Sequence, residues 1–339
     1  MAAAMTTANQ TAKIRSLLLA IEGAKQSTQG LLYEQLWSEL CKILLDEGCE
    51  VASQEASSGA LASEIVTDRP PRVLIQCVNE NERIGIRNAC ESFVLEPSKD
   101  PYPQGRYTLA ESLGLLNNYE LLLVQNDAGS NRPTAAQGVI TDAIDDFDPY
   151  AIIAVGVAFG LTVNLPALNE PPMVVIARET KDYEEAHIGE VLPGLPELGL
   201  LIHERGYTGN PDPTLFRNIQ VVAHKYDIPF KPGQILCGDK LVDHPGFRAS
   251  LKKRFPKAIA GEMEGTGLAA ACARRRVIRW LLVKGVSDLG DGNKHSVPDD
   301  ENDPADTDDQ RQQLAAETAM TLVLDAIQDG FLSTGSSHL

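Results

Sequence analysis

The chain has 339 residues, 43% of them hydrophobic and 23% charged, the balance of an ordinary soluble globular protein with room for one large domain plus an extension. Thirty basic against 47 acidic residues leave a formal charge of -17, which opposes a polynucleotide interface because phosphate neutralisation needs clustered Lys and Arg. No apolar run approaches the roughly 20 residues that cross a bilayer, and Met1-Ala2-Ala3-Ala4 lacks the basic start and apolar stretch of a secretory signal, so a cytoplasmic location is expected.

Residues 11–47 carry two helical patterns, Ile14, Leu17, Leu18 and Ile21, then Leu32, Leu36, Leu40, Ile43 and Leu44, which predict a helical hairpin. Residues 52–71 turn to Ser, Ala and Gly and end on Arg69-Pro70-Pro71, a linker composition, so residues 1–70 are set apart from a domain over 71–330, with a tail at 331–339. Beyond the linker, strand and helix alternate. Strands are expected at Val73–Val78, Glu120–Gln125, Tyr150–Val157, Met173–Ala177, Gln234–Cys237, Ala258–Met263 and Trp280–Val283. Helices are expected at Glu82–Glu91, Thr134–Asp145, Thr214–His224 and Gln312–Gln328. Such alternation implies an α/β fold with a mostly parallel or mixed central sheet flanked by helices. The Asp-rich stretch Gly290 to Asp309 reads as a solvated connection or as a lid; it lacks the order of a calcium loop. The six cysteines, Cys41, Cys49, Cys77, Cys90, Cys237 and Cys272, form no C-x-x-C pair and are expected as reduced core residues, with no metal and no cofactor.

Carboxylates gather where apolar runs stop. Ala258 to Met263 ends on Glu262-Met263-Glu264-Gly265, and Trp280 to Val283 is followed by Lys284-Gly285-Val286-Ser287-Asp288. In open α/β sheets ligands sit beyond the carboxyl ends of strands, so acids placed there fit a site better than a requirement of the fold.

These segments resemble the nucleoside phosphorylase superfamily, most of all its hydrolytic branch of methylthioadenosine/S-adenosylhomocysteine nucleosidases. The similarity spans about residues 72–328. It is carried by Cys237-Gly238-Asp239, by Phe255-Pro-Lys-Ala-Ile-Ala-Gly-Glu-Met-Glu-Gly265 and by Val286-Ser287-Asp288. Two earlier turns join them, Asp127-Ala-Gly129-Ser130 and Val155-Gly156-Val157-Ala158-Phe159-Gly160.

The resemblance implies the roles that follow. Asp288 takes the place of the general acid beside purine N7, supported by Ser287; an acid there lowers the barrier by typically ~10²–10⁴ in rate. Glu264 takes the place of the ribose ligand, with Met263 against the sugar, Glu262 behind it and Gly129 in the glycine turn. Glu82 falls where the family has its water-activating glutamate, although Glu80 lies two residues away and either fits an N-terminal helix carboxylate. An aliphatic Leu241, followed by Val242, stands where nucleosidases usually carry the aromatic that stacks on the base, so stacking passes to apolar contact or to Phe159. Asp239 is expected in an architectural role. The Gly-Asp-Pro phosphate turn of the phosphorylases is missing at Val78-Asn79-Glu80, which favours water as nucleophile. Arg83, Arg87, Arg132, Arg178, Lys240 and Lys284 lie near segments that face the site; convergence of several would point to a 5′-phosphate, and surface solvation is the alternative for each.

The expected activity is hydrolysis of the base–ribose bond of a purine, adenine above others, nucleoside or nucleotide. The alternatives are phosphorolysis and a nucleoside sensor without turnover. Helical extensions on such domains are similar to the architecture of bacterial defence effectors under the control of a partner, or residues 1–70 are a dimerisation arm. A homo-oligomer binding a small molecule, with no polynucleotide and no membrane, is the expected assembly.

Overall fold

The computed structural model describes residues 69–103, 110–167, 170–190, 200–292 and 308–332. The expected helical hairpin, nearly all of the linker, most of the Asp-rich connection and residues 333–339 lie outside the described residues. Phe331 and Leu332, assigned to the tail from sequence, are instead 4% and 2% exposed and pack in the core.

The elements run β1 (Arg72–Cys77), α1 (Glu80–Glu91), β2 (Ala110–Leu116), β3 (Tyr119–Gln125), α2 (Ala136–Phe147), β4 (Ala151–Gly160), β5 (Val174–Asp182), β6 (Ala186–Glu190), β7 (Leu200–Glu204), β8 (Thr208–Gly209), α3 (Pro213–Lys225), β9 (Phe230–Cys237), α4 (Pro245–Arg254), β10 (Ala258–Glu262), α5 (Gly265–Arg275), β11 (Trp280–Asp288) and α6 (Asp308–Gln328). Every strand and helix expected after residue 71 is present, several of them longer than expected. The sheet is mixed, in the order β10-β9-β5-β11-β4-β1-β3-β2, and an additional β10–β4 pairing closes β4, β11, β5, β9 and β10 into a ring.

Strand β4 is the hinge of this arrangement. One edge pairs with β11 in parallel over Ile152 to Phe159, while the other pairs first with β1, over Ala151 to Ala154, and then with β10, antiparallel, at Phe159 and Gly160. Between these two partners, Val155 to Ala158 have no strand beside them on that edge among the described residues. Because β10 runs against β4, its end descends toward this gap from one side as the end of β1 reaches it from the other.

Alternation along the strands divides the core. Val73, Ile75, Ile153, Leu281 and Val283 face α1, α3 and α6 through Ile86, Ile219, Met320 and Val323. Leu74, Ile152, Ala154 and Leu282 face α2 and α5 through Ile140, Ile144, Leu268 and Cys272. Helix α1 lies so near α6 at Gly85 that a Cβ there would come within 2.2 Å of the Gln313 carbonyl oxygen. That contact fixes the helix carrying Glu82. No described helix is long and apolar enough to cross a membrane.

Candidate active site

The unpaired stretch of β4 is met by the carboxylate of Glu82. Helix α1 begins with a capping box, in which the Asn79 side chain accepts from the Glu82 N–H at 2.9 Å and Glu82 reaches back to the Asn79 N–H at 3.4 Å. Glu82 Oε2 also accepts from the Val78 N–H at 2.6 Å, and Oε1 from the Val157 N–H at 2.8 Å. Its carboxylate thus stands in for the missing strand partner of β4, satisfying a buried donor that would otherwise be orphaned. Gly156 makes room for it: a Cβ there would come within 2.2 Å of Glu82 Oε1, and the residue has φ +148°. Glu82 is 2% exposed, whereas the Glu80 side chain is 62% exposed and pairs with Arg83. Of the two acids near this helix start, only Glu82 enters the interior.

From the opposite side comes the end of β10. Glu262 accepts from the Glu264 N–H at 2.9 Å and the Gly265 N–H at 3.0 Å, closing the first turn of α5. Both its oxygens hold the helix start, so it orients Glu264 rather than facing outward itself. Glu264 is 4% exposed, and its Oε1 accepts from the Gly129 N–H at 3.3 Å. Ser130 ties the glycine turn to the same corner by donating its hydroxyl to the Met263 carbonyl at 2.8 Å. Asp239 accepts from the Ser130 N–H at 2.7 Å, the architectural role expected of it.

Lys284 lies between the two acids. It is fully buried, with Nζ 3.5 Å from Glu264 Oε2 and 3.9 Å from Glu82 Oε1, in ion-pair range of both and in hydrogen-bond contact with neither. Burial opposes its charge, but Glu82, Glu264 and Glu262 outweigh that and hold the ammonium above the ordinary lysine range. Burial pushes the Glu264 carboxyl up to about 8; Glu262 and Glu82 add to the push, while Lys284 and the Gly129 N–H act against it. One cation facing three buried carboxylates raises the proton affinity of Glu264.

Asp288 closes β11. It is half-buried, accepting from the Ser287 hydroxyl at 3.1 Å and from the Gly290 N–H at 2.9 Å. Across the sheet Phe159 of β4 pairs with Asp288 on one edge and with Gly261 of β10 on the other, so both acid-bearing strands flank the same residue. Lys284 and Asp288 are four residues apart on β11, about 13 Å along an extended strand. Phe159 packs over Gly261 and against Gly290, 7% exposed, and Val242 is 4% exposed beside it in the same cluster. Leu241 is 63% exposed at the rim.

The six cations divide. Arg83 and Arg87 converge on Glu111, Lys240 pairs with Glu184, Arg132 donates to the Ala128 carbonyl, and Arg178 is exposed. Only Lys284 sits among the site carboxylates. Its sequence signal was an ionisable residue inside the apolar run Leu281-Leu282-Val283-Lys284-Gly285-Val286, a position that demands a partner.

Comparison with known proteins bears on the fold and the family. A family model described as the phosphorylase superfamily matches residues 112–328. The 5′-methylthioadenosine/S-adenosylhomocysteine nucleosidase of Staphylococcus haemolyticus is 28% identical over 181 residues, 53% of this chain and 73% of that protein. Among solved structures, the nucleosidase of the same name from Neisseria meningitidis, in complex with methylthio-immucillin-A, aligns with a TM-score of 0.56 at 20% identity over 76% of this chain and 99% of its own. Futalosine hydrolase of Helicobacter pylori aligns with a TM-score of 0.57 at 18% identity, over 76% and 98%. The chain belongs to the phosphorylase superfamily.

Proposed function

We propose that this protein hydrolyses the N-glycosidic bond of a purine nucleoside, with adenine as the base and water as the nucleophile. The observation that carries the reading is the buried trio Glu82, Lys284 and Glu264, joined by the one ammonium. A water among the three meets one ammonium donor and two carboxylate acceptors, the number of polar partners that holds a buried water. Glu82, fixed by three backbone N–H groups, takes its proton. Glu264 accepts from the ribose hydroxyls and, in its ionised form, offsets positive charge at the sugar as the bond breaks. Asp288, on the far side of Phe159, protonates the departing base so that it leaves neutral. The ion pairs of Arg83, Arg87 and Lys240 with protein carboxylates support a nucleoside over a nucleotide. The adenine assignment rests on the relatives' names, and a regulated defence role rests on the sequence pattern of residues 1–70.

The test is direct. Purified protein is incubated with methylthioadenosine, S-adenosylhomocysteine, adenosine, AMP and ATP, with and without phosphate, and free base is separated by chromatography. Adenine release from the nucleosides, independent of phosphate, is expected. Release that requires phosphate would replace hydrolysis with phosphorolysis, and no release from any of the five would remove the enzymatic reading.

A further inference from the structure

Two loops meet beside Asp288. The loop after β9 carries Leu241 and Val242, where the family resemblance places the base, and the loop after β11 carries the acid. Asp243 and His244 clasp them together: the Gly292 N–H donates to Asp243 Oδ1 at 2.8 Å and the His244 N–H donates to the Gly290 carbonyl at 3.1 Å. Gly290 is shared, since its own N–H donates to Asp288 Oδ1 at 2.9 Å. It has φ +61°, and a Cβ there would lie 2.9 Å from the Val242 carbonyl oxygen, so the approach of the two loops depends on a glycine.

We propose that Asp243 is a positioning residue for the general acid. Its carboxylate anchors the far end of the Asp288–Gly290–Gly292 turn to the base-binding loop, setting the distance between Asp288 and the edge of the purine. The inference rests on the hydrolytic reading above and adds a residue to it. Proton transfer requires the acid within about 2.6–3.2 Å of the acceptor nitrogen, and a misplacement near 1 Å can cost ~10² in rate. Asp243 lies 45 residues before the acid in sequence and connects to it in the fold through this turn.

The experiment compares wild type, Asp243→Ala and Asp243→Asn in the full chain, with thermal melting of each. Two substrates are used: methylthioadenosine, and 4-nitrophenyl β-D-ribofuranoside, whose leaving group departs without protonation. For Asp243→Ala, kcat on methylthioadenosine should fall ~10–10²-fold with KM changed far less, while cleavage of the nitrophenyl riboside stays near wild type. Asp243→Asn, whose amide oxygen accepts the same hydrogen bond, should recover most of the loss. Equal slowing of both substrates, or no slowing of either, would overturn the proposal. Wild-type protein that releases no base at all would instead sink the hydrolytic reading itself.

Discussion

The Lys284 ammonium lies 3.5 Å from the Glu264 carboxylate and 3.9 Å from that of Glu82. One cation therefore links a side chain at the end of β10 to one at the start of α1, 182 residues apart in sequence. Three elements that share no strand pairing with one another at this point are held by charge.

Removal of that cation should be costly. Lys284→Met leaves Glu82, Glu262 and Glu264 buried with no compensating charge, and breaking a buried pair this way typically destabilises by ~3–5 kcal/mol. Urea unfolding of the variant should show a lower midpoint than wild type, and base release should vanish under conditions in which the variant is still folded.

The raised Glu264 carboxyl makes a signed prediction in pH. Its folded value, about 8, lies above the ordinary 4.5, so its contribution to stability is fully present below about 4.5 and is lost as pH rises through about 8. Wild-type melting temperature should decline between about pH 5 and about pH 8. Glu264→Gln, which cannot titrate, should lack this part of the decline; parallel curves for the two proteins would show that Glu264 ionises as an ordinary carboxylate.

Gly156 holds open the space that Glu82 fills. Gly156→Ala sets a methyl against the Glu82 carboxylate and forces an L-residue to φ +148°, a conformation costing of order 1–3 kcal/mol. The expected result is a destabilised protein whose kcat falls further than its stability loss explains, measured as turnover per folded molecule by titration with unfolding controls.

Asp288→Asn keeps the shape of the acid and removes its proton. Turnover of methylthioadenosine should drop by at least ~10², the lower range for loss of a general acid, with adenine still binding in calorimetry. Unchanged turnover would take Asp288 out of that role.

Leu241 offers a gain instead of a loss. Exposed at 63% on the rim, it has room for a larger ring, and Leu241→Phe should lower KM for an adenine nucleoside several-fold through base stacking, worth ~1–3 kcal/mol by analogy with single-strand binders. An unchanged KM would show that the base lies elsewhere.

The pattern of apolar runs made most of the strands and helices legible, and the failures have local causes. Strand β2 was missed because Ala110-Glu111-Ser112-Leu113-Gly114 alternates poorly, although Asn117 and Asn118, at φ +50° and +66°, carry the turn chemistry of a tight hairpin with β3. Helix α4 buries only Leu251 among its own residues, so it offers no stripe to read, and its start is capped by the His244 ring instead of a Ser or Asp. The strand expected over Trp280–Val283 is longer in the structure, because the charge of Lys284 does not end it. In the folded chain its charge is balanced inside, and pairing runs on to Asp288.

By itself the sequence determined which stretches bury their side chains and which acids stand where those stretches end, because hydrophobic periodicity and local capping act over a few residues. Only the tertiary structure decided that Glu82 and not Glu80 turns inward, that Lys284 alone of six cations enters the site, and that β10 pairs antiparallel with β4 on the edge opposite β11. Those outcomes follow from the closure of the sheet on β4: a gap in one strand's pairing leaves a backbone N–H unsatisfied, a glycine leaves space beside it, and charges distant along the chain settle where both conditions hold.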